Sequence, residues 1–318
     1  MTRQIQKILE SDHRTIGQTL SLVEDSDERE VSQLLKQLFP HTGEGFVIGI
    51  TGSPGVGKST LVDQLTHHYR ADGQRVAIVA VDPSSPFSGG AFLGDRIRMQ
   101  SLTTDPNVFI RSMATRGKMG GLSLAVNDSL MVLDAAGYRT LIVETIGVGQ
   151  DEVDIAKTAH LTVVVVSPGM GDDIQTIKAG VLEIADILVI NKADREQVER
   201  TEQELRAMLS ISVREDNWQL PIVRTVATRG EGTKQLADAI ERYRRFLSEH
   251  PREKWRIPLF RQRLIEMLRE RVTRTILERI PEGELDQYAE KMMTRESDPY
   301  TIMDQLLKDF GLQEEPRD

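Results

Sequence analysis

Cysteine is absent from the sequence, which excludes disulfide bridges, cysteine nucleophiles and zinc sites built on cysteine. Long apolar runs are also absent. No window reaches the roughly 18 residues that a membrane-spanning helix needs, and the N-terminal residues lack the apolar core of a signal peptide. Acidic residues outnumber basic ones, 49 against 40, so the net charge of −9 provides no general basic surface for nucleic acid. These absences predict a cytoplasmic protein whose partner is neither a membrane nor a nucleic acid.

Seven short β-rich runs follow one another in the middle of the chain. Most are continuously apolar, which is typical of strands covered on both faces of a sheet. Segments of helical length separate several of them, so right-handed crossovers and a mainly parallel sheet are expected. The predicted fold class is α/β, with helices flanking the sheet. The runs are FVIGIT (46–51), RVAIVAVD (75–82), VFIRS (108–112), TLIVET (140–145), LTVVVVS (161–167), DILVIN (186–191) and PIVRTV (221–226).

Helical patterns flank this central region on both sides. Apolar residues recur at helical spacing in the first 39 residues and again beyond residue 230, and Asp298 followed by Pro299 is typical of a helix start. The chain is therefore divided into an N-terminal helical extension (1–42), a central α/β domain (43–248) and a C-terminal helical region (249–318). The C-terminal helices could pack on their own sheet or form a dimer face, and the pattern leaves both open.

The first strand runs directly into GSPGVGKS, residues 52–59, which matches the P-loop pattern of two glycines followed by lysine and serine. Glycine is needed because the turn requires unusual dihedral angles and because a Cβ would strike the phosphates. The backbone N–H groups of such a loop surround an anion, and the next helix adds its positive end. Lys58 is placed to reach the outer phosphates and Ser59 to ligate Mg²⁺. A glycine-rich turn that fits by chance is the alternative. The residues expected at the nucleotide are Ser53, Pro54, Gly55, Val56, Gly57, Lys58, Ser59 and Thr60.

A second motif, NKAD at 191–194, ends the strand DILVIN. An aspartate at its last position can accept hydrogen bonds from the ring N–H and the exocyclic amino group of guanine, and adenine offers no such pair of donors on that edge. Asn191 can brace the P-loop, and Lys192 can lay its alkyl stem over the base. A polar loop in which Asp194 only caps the next helix is the alternative. The stretch TVATRGEG offers a second wall for the base, with the Ala227 amide near the guanine carbonyl oxygen; the residues expected there are Val226, Ala227 and Thr228.

Carboxylates follow two further strands on the same rim of the predicted sheet. Asp82 ends RVAIVAVD, and Glu144 lies at the end of TLIVET. Because Mg²⁺ prefers carboxylate and hydroxyl oxygens, both side chains are candidate ligands beside Ser59, directly or through water. Capping of a helix or simple solvation in a loop is the alternative for each.

Two loops on this rim, residues 83–99 and 145–152, are candidate nucleotide switches, because loops ordered by the γ-phosphate and its metal are the usual form of such switches. A third loop, residues 167–180, follows the strand LTVVVVS on the same rim. In the second loop, Gly147 can donate its N–H to a terminal phosphate. A cation in the third could stabilise charge on a transferring phosphoryl group. Long glycine-rich surface loops are the alternative. The polar side chains of the third loop are Asp172, Gln175 and Lys178.

Together these motifs resemble the methylmalonyl-CoA mutase-associated GTPases of the MeaB type, which are also described as arginine/ornithine transport kinases. With the helical flanks, the resemblance covers nearly the whole chain, and its two longest stretches are far more specific than the P-loop. It implies a P-loop NTPase sheet with helical extensions at both ends. The stretches that carry it are GITGSPGVGKSTL, VAVDPSSPFSGGAFLGDRIRM, IVETIGVGQDEVD, SPGMGDDIQTIKAGVLEIADI and NKAD.

The resemblance implies a homodimeric GTPase that accompanies an adenosylcobalamin-dependent acyl-CoA mutase, gates cofactor loading, and protects or reactivates the mutase. On the family's pattern, Asp95 joins the three Mg²⁺ ligands named above. Arg98 becomes a candidate internal arginine finger. The loop 167–180 becomes a third switch, in which Lys178 links nucleotide state to the partner. Gln150 belongs with the coupling residues. Val148, not glutamine, follows the switch glycine Gly147, so slow intrinsic hydrolysis is expected.

Two other functions compete with this interpretation. A nickel-delivery GTPase of related architecture needs clusters of cysteine and histidine, and the chain has no cysteine. A small-molecule kinase could use the same phosphate loop with an acceptor pocket and a base beside the γ-phosphate. The NKAD motif would have no explanation if the phosphate donor were ATP. The sequence therefore favours a regulatory GTPase, with GTP or GDP and Mg²⁺ as its ligands.

Overall fold

The protein is described by a computed structural model that covers residues 2–25, 28–82, 99, 101–114, 124–145, 151–169, 184–210, 217–249 and 252–312. At a few positions inside helices and strands, Asp82 among them, only the backbone is described. The chain divides into two compact units, residues 1–262 and residues 263–318. The predicted domain limits after residues 42 and 248 stay predictions.

A seven-stranded sheet forms the centre of the first unit, and its strands pair in parallel in the order β3-β2-β4-β1-β5-β6-β7. Each strand coincides with one of the seven β-rich runs. The predicted α/β class, with a parallel sheet and helices at both ends of the chain, is therefore confirmed. The strands are β1 (Phe46–Thr51), β2 (Val76–Asp82), β3 (Val108–Ala114), β4 (Thr140–Thr145), β5 (Leu161–Val166), β6 (Ile187–Asn191) and β7 (Ile222–Thr225).

Helices cover both faces of the sheet, which explains why its central strands are apolar at successive positions. Successive side chains point to opposite faces. Val47 of β1 therefore packs in one core, and Ile48 packs in the other. The first unit also contains α1 (Arg3–Leu9), α2 (His13–Asp25), α3 (Glu28–Leu38), α4 (Lys58–Ala71), α5 (Leu124–Ala135), α6 (Asp151–Thr158), α7 (Val198–Leu209) and α8 (Thr233–Glu249).

The three N-terminal helices are part of the core on one face of the sheet. Ile5 and Ile16 are fully buried there with residues of β4 and α5. Asp134 of α5 holds the segment that precedes β1. Its carboxylate accepts hydrogen bonds from the amides of Gly43 at 2.5 Å and Gly45 at 2.7 Å. The predicted N-terminal extension therefore packs against the sheet.

The remaining helices are α9 (Arg252–Leu277), which begins in the first unit, and α10 (Glu284–Met293) and α11 (Pro299–Asp309) of the second unit. Asp298 caps α11 by accepting from the amides of Tyr300 at 2.9 Å and Thr301 at 3.1 Å, as predicted. Hydrogen bonds from the Thr301 hydroxyl and amide hold the pKa of Asp298 below its usual range. Within the described ranges, no helix is long and apolar enough to cross a membrane.

Candidate nucleotide-binding site

The P-loop connects the end of β1 to the start of α4, at the edge of the sheet where the parallel strands end. Gly52, Gly55 and Gly57 all have positive φ angles, +139°, +82° and +96°. A Cβ at Gly52 would collide with the carbonyl oxygen of Val165 in β5. The first glycine is therefore required because the loop leaves the sheet in close contact with a neighbouring strand.

Lys58, the first residue of α4, is buried and turned back over the loop. Its ammonium donates to the carbonyl oxygens of Gly52 at 2.6 Å and Ser53 at 3.0 Å. The positive end of α4 lies at the same place. The structure therefore brings a cation, a helix N-terminus and a glycine-rich backbone together, which is the arrangement that binds the phosphates of a nucleotide.

The candidate metal ligands Ser59 and Glu144 meet across the sheet edge. The Ser59 hydroxyl donates to Glu144 Oε1 at 2.6 Å, and both residues are buried. A hydroxyl oxygen and a carboxylate oxygen at this distance fit the donor chemistry of Mg²⁺, which completes its coordination with water and phosphate oxygens. Asp82 ends β2, but its side chain and the whole of Asp95 lie outside what the structure describes.

Asn191, at the end of β6, joins the NKAD motif to two other loops. Its Nδ2 donates to the Val56 carbonyl at 2.8 Å, and its Oδ1 accepts from Thr225 Oγ1 and from the Ala227 amide, each at 3.1 Å. Lys192, at a positive φ of 56°, donates to the Gly55 carbonyl at 2.6 Å. The motif therefore braces the middle of the P-loop at two consecutive carbonyl groups.

Asp194 presents a partly exposed carboxylate beside this brace. Its Oδ2 pairs with Arg229 Nη2 at 3.2 Å, and Arg229 follows directly after Ala227 and Thr228 in a short 3-10 helix, Ala227–Arg229. The sequence motifs do not predict Arg229 as a neighbour of Asp194. The only sequence signal for this pair is the position of Arg229 within TVATRGEG, the predicted second wall.

The second wall differs in one detail from the expected arrangement. The Ala227 amide, expected near the guanine carbonyl oxygen, donates to the Asn191 side chain at 3.1 Å. The Val226 amide donates to the Glu231 carbonyl at 3.0 Å. This loop is therefore held to the NKAD motif by Asn191, and the contact of the Ala227 amide with a base stays a prediction.

Several predicted site residues fall outside the described residues, so the structure says nothing of their positions. In the part of the chain that is described, no group of three or more His, Asp or Glu side chains is arranged to hold a metal ion. The sequence has no cysteine that could add to such a group. The residues outside the described ranges are Asp95, Arg98, Gly147, Gln150, Asp172, Gln175 and Lys178.

A family model described as "Methylmalonyl Co-A mutase-associated GTPase MeaB" matches residues 16–284. A putative GTPase of Pyrococcus abyssi is 46% identical over 313 residues, which cover 96% of this chain and 95% of that protein. The GTPase ArgK of Escherichia coli is 33% identical over 284 residues, 87% and 85% of the two chains. A crystal structure described as an LAO/AO transport system kinase has a TM-score of 0.73 at 25% identity, covering 98% of this chain and 99% of that one.

The chain belongs to the MeaB family of GTPases, as the sequence motifs indicated. It is a P-loop GTPase that binds GTP and GDP and hydrolyses GTP.

Proposed function

We propose that this MeaB-family GTPase is a nucleotide-controlled switch for an adenosylcobalamin-dependent acyl-CoA mutase of the methylmalonyl-CoA mutase type. In this role it gates the loading of adenosylcobalamin and protects or reactivates the mutase in the cytoplasm. The observation that carries the proposal is the match of residues 16–284 to a family described by its association with methylmalonyl-CoA mutase.

The described site supports the nucleotide part of this proposal. Lys58 lies at the start of α4 with its ammonium against the loop carbonyls, so its charge is beside the loop that would hold the β- and γ-phosphates. Asp194 is the last residue of the NKAD motif, whose Asn191 and Lys192 bind the P-loop, and its carboxylate can accept hydrogen bonds from the donor edge of guanine. A triphosphate at the P-loop and a base at Asp194 would thus belong to one nucleotide, because Asn191 and Lys192 bind the P-loop directly.

Mg²⁺ is proposed as the metal of this site, held by Ser59 and Glu144, with Asp82 and Asp95 as further ligands. When bound, it neutralises charge on the β- and γ-phosphate oxygens. The contribution of the chain is to hold the Ser59 hydroxyl and the Glu144 carboxylate within 2.6 Å of each other on two different elements, α4 and β4.

The remaining roles are proposed on the family resemblance. Arg98 is proposed to stabilise charge on the transferring phosphoryl group as an internal arginine finger, and the Gly147 amide to bind the γ-phosphate. No residue is an obvious base for the attacking water. The residues proposed to couple nucleotide state to the partner are Gln150, Asp172, Gln175 and Lys178.

Hydrolysis of GTP by the isolated protein is expected to be slow and to rise when the mutase is added, because the partner would supply or reposition the missing group. The measurement is release of inorganic phosphate from GTP, with and without purified mutase. Fast turnover without any partner would contradict this expectation. Phosphate found on added arginine or ornithine would instead favour a small-molecule kinase, the function suggested by the likeness to the structure described as a transport system kinase.

Recovery of a cobalamin-dependent acyl-CoA mutase on the immobilised protein is expected to differ between GDP and a non-hydrolysable GTP analogue. Asp194→Asn is the matched control, because a protein that no longer binds guanine nucleotides should recover the same amount of mutase under both conditions. Equal recovery by the wild-type protein in all nucleotide states contradicts the switch. Failure to recover the mutase in every state contradicts the partner itself.

We further propose that the protein is a homodimer and that helices of the second unit form its interface. Leu264 and Leu268 on α9 are 66% and 64% exposed, and Val272 lies one turn further along the same face. Charge supports association with a second copy: α9 carries eight basic and three acidic residues, whereas residues 278–318 carry five basic and twelve acidic ones. A second copy can therefore offer both an apolar face and the opposite charge.

Leu264→Lys together with Leu268→Lys is expected to convert the dimer to a monomer, because two charges would be buried at the interface without partners. Both side chains are exposed in the single chain, so its own fold should be unaffected. The measurement is molecular mass by sedimentation equilibrium. Thr273→Lys, an exposed position on the opposite side of the same helix, is the control and should stay dimeric. A wild-type protein that is monomeric at all concentrations contradicts the proposal.

A further inference from the structure

Threonine is the last residue of three of the strands that end below the nucleotide site. Thr51 ends β1, Thr145 ends β4 and Thr225 ends β7, and each is at most 1% exposed. The Thr225 hydroxyl donates to Asn191, the residue that braces the P-loop. The Thr145 hydroxyl donates to the Thr51 hydroxyl at 2.9 Å. The bond between Thr145 and Thr51 joins two neighbouring strands and has no part in the nucleotide contacts described above.

The Thr51–Thr145 bond lies on the face of the sheet away from α4. Side chains alternate along a strand, so Thr145 shares its face with Val143, which packs with α6. Glu144 instead shares its face with Ile142, which packs with α4. The Thr145 hydroxyl and the Ser59 hydroxyl therefore lie on opposite faces of the sheet.

The same bond is adjacent in the chain to groups on both sides of the candidate metal site. Thr145 follows Glu144, whose carboxylate accepts from Ser59 at 2.6 Å. Thr51 precedes Gly52, whose carbonyl accepts from Lys58 at 2.6 Å. The register of the two strands pairs Ile50 with Glu144, so the bond comes immediately after the last backbone pair of β1 and β4. On their other sides Thr145 still pairs with Val81 of β2 and Thr51 with Val164 of β5, so the hydroxyl bond is the contact that joins these two strand ends to each other.

We propose that Thr145 is a positioning residue: its hydroxyl bond to Thr51 holds the end of β4 against the base of the P-loop and thereby sets Glu144 at the distance from Ser59 that Mg²⁺ requires. The inference rests on the metal site given under the proposed function. Thr145 itself touches neither metal nor nucleotide and acts only through the backbone of Glu144.

A purely structural role, in which the bond adds cross-strand stability and nothing else, is the competing explanation. Thr140 provides a control on the same strand. It is the first residue of β4, is 2% exposed, and donates its hydroxyl to Gln74 Oε1 at 2.8 Å. Thr140→Val and Thr145→Val thus each remove the hydroxyl hydrogen bond of a buried threonine, at opposite ends of one strand, and only the second threonine is adjacent to Glu144.

The test measures GDP affinity by calorimetry in the presence of Mg²⁺ and in the presence of EDTA, and the ratio of the two affinities is the Mg²⁺-dependent gain. Thr145→Val is expected to reduce this gain about fivefold, the effect of one lost buried hydrogen bond, without changing the affinity in EDTA. Thr145→Ser should keep the gain within about twofold. Thr51→Val should match Thr145→Val, and the double variant should be no worse than either, because both break the same bond.

Three outcomes would overturn the proposal. In the first, Thr145→Val keeps the full Mg²⁺-dependent gain. In the second, Thr140→Val loses as much of the gain as Thr145→Val does, and the effect is then a general loss of stability. Glu144→Gln could keep the gain, and then Glu144 would not be a metal ligand for Thr145 to position. Failure of the proposed function is a distinct result, because the wild-type protein itself would then bind no GDP, or show no gain with Mg²⁺.

Discussion

Asp194→Asn is expected to lower the affinity for GDP and GTP by roughly 10²- to 10⁴-fold and to create a preference for xanthine nucleotides. With guanine, the asparagine N–H₂ group would face the exocyclic amino group, and the ring N–H would lose its charged acceptor; hydrogen bonds to a charged acceptor contribute about 1.5–3 kcal/mol each. Xanthine carries an oxygen in place of the exocyclic amino group. The amide of an asparagine can donate to that oxygen, whereas the native carboxylate cannot.

Calorimetric titration of the variant with GDP and with xanthosine diphosphate measures both effects. Asp238→Asn, an exposed position on α8, is the matched control and should keep the wild-type affinity for GDP within about twofold. Unchanged GDP affinity in Asp194→Asn would show that this carboxylate does not read the base. Lost GDP affinity without binding of the xanthine nucleotide would mean that the substitution damaged the loop.

Gly57→Ala is expected to lower GDP affinity by about 10²-fold and to lower the unfolding temperature. The new methyl group would collide with Asn191 Nδ2, the donor of the bond to Val56. The substitution therefore forces a non-glycine residue to a φ of +96° and also separates the NKAD motif from the P-loop. Breaking a buried hydrogen bond and straining the backbone together amount to about 3 kcal/mol, or two factors of ten.

Gly55→Ala separates these two causes. Gly55 also has a positive φ, +82°, but a Cβ there has no protein atom within 4 Å. The two variants thus share the backbone strain, and only Gly57→Ala adds the collision with Asn191. Without nucleotide, Gly55→Ala should lower the unfolding temperature less than Gly57→Ala does, because it adds the backbone strain alone. Equal losses of unfolding temperature in the two nucleotide-free variants would contradict a specific role for the Asn191 brace.

The strands and the general position of the site could be predicted because local signals determine them. A continuously apolar run such as LTVVVVS is covered on both sides wherever it lies, and GSPGVGKS at a strand end has few structural solutions. Asp298 followed by Pro299 correctly predicted the start of α11. In each case the sequence signal lies within about ten residues of the chain.

The contacts between distant segments could not be predicted in the same way. Asn191 and Val56 are 135 residues apart, and the need for glycine at position 57 arises only because Asn191 occupies the space beside it. The pairing of Arg229 with Asp194 depends on two loops that follow different strands. The Thr51–Thr145 bond depends on β1 and β4 being neighbours, an order that the apolar runs do not encode.

Titration of the wild-type protein with GDP and with ADP in the presence of Mg²⁺ tests the central claim most directly, namely that the P-loop and Asp194 together bind a guanine nucleotide. We expect saturable binding of one GDP per chain and an affinity for ADP at least about 10²-fold weaker, since adenine cannot supply the two donors. Equal affinity for the two nucleotides, or no heat with GDP, would contradict it.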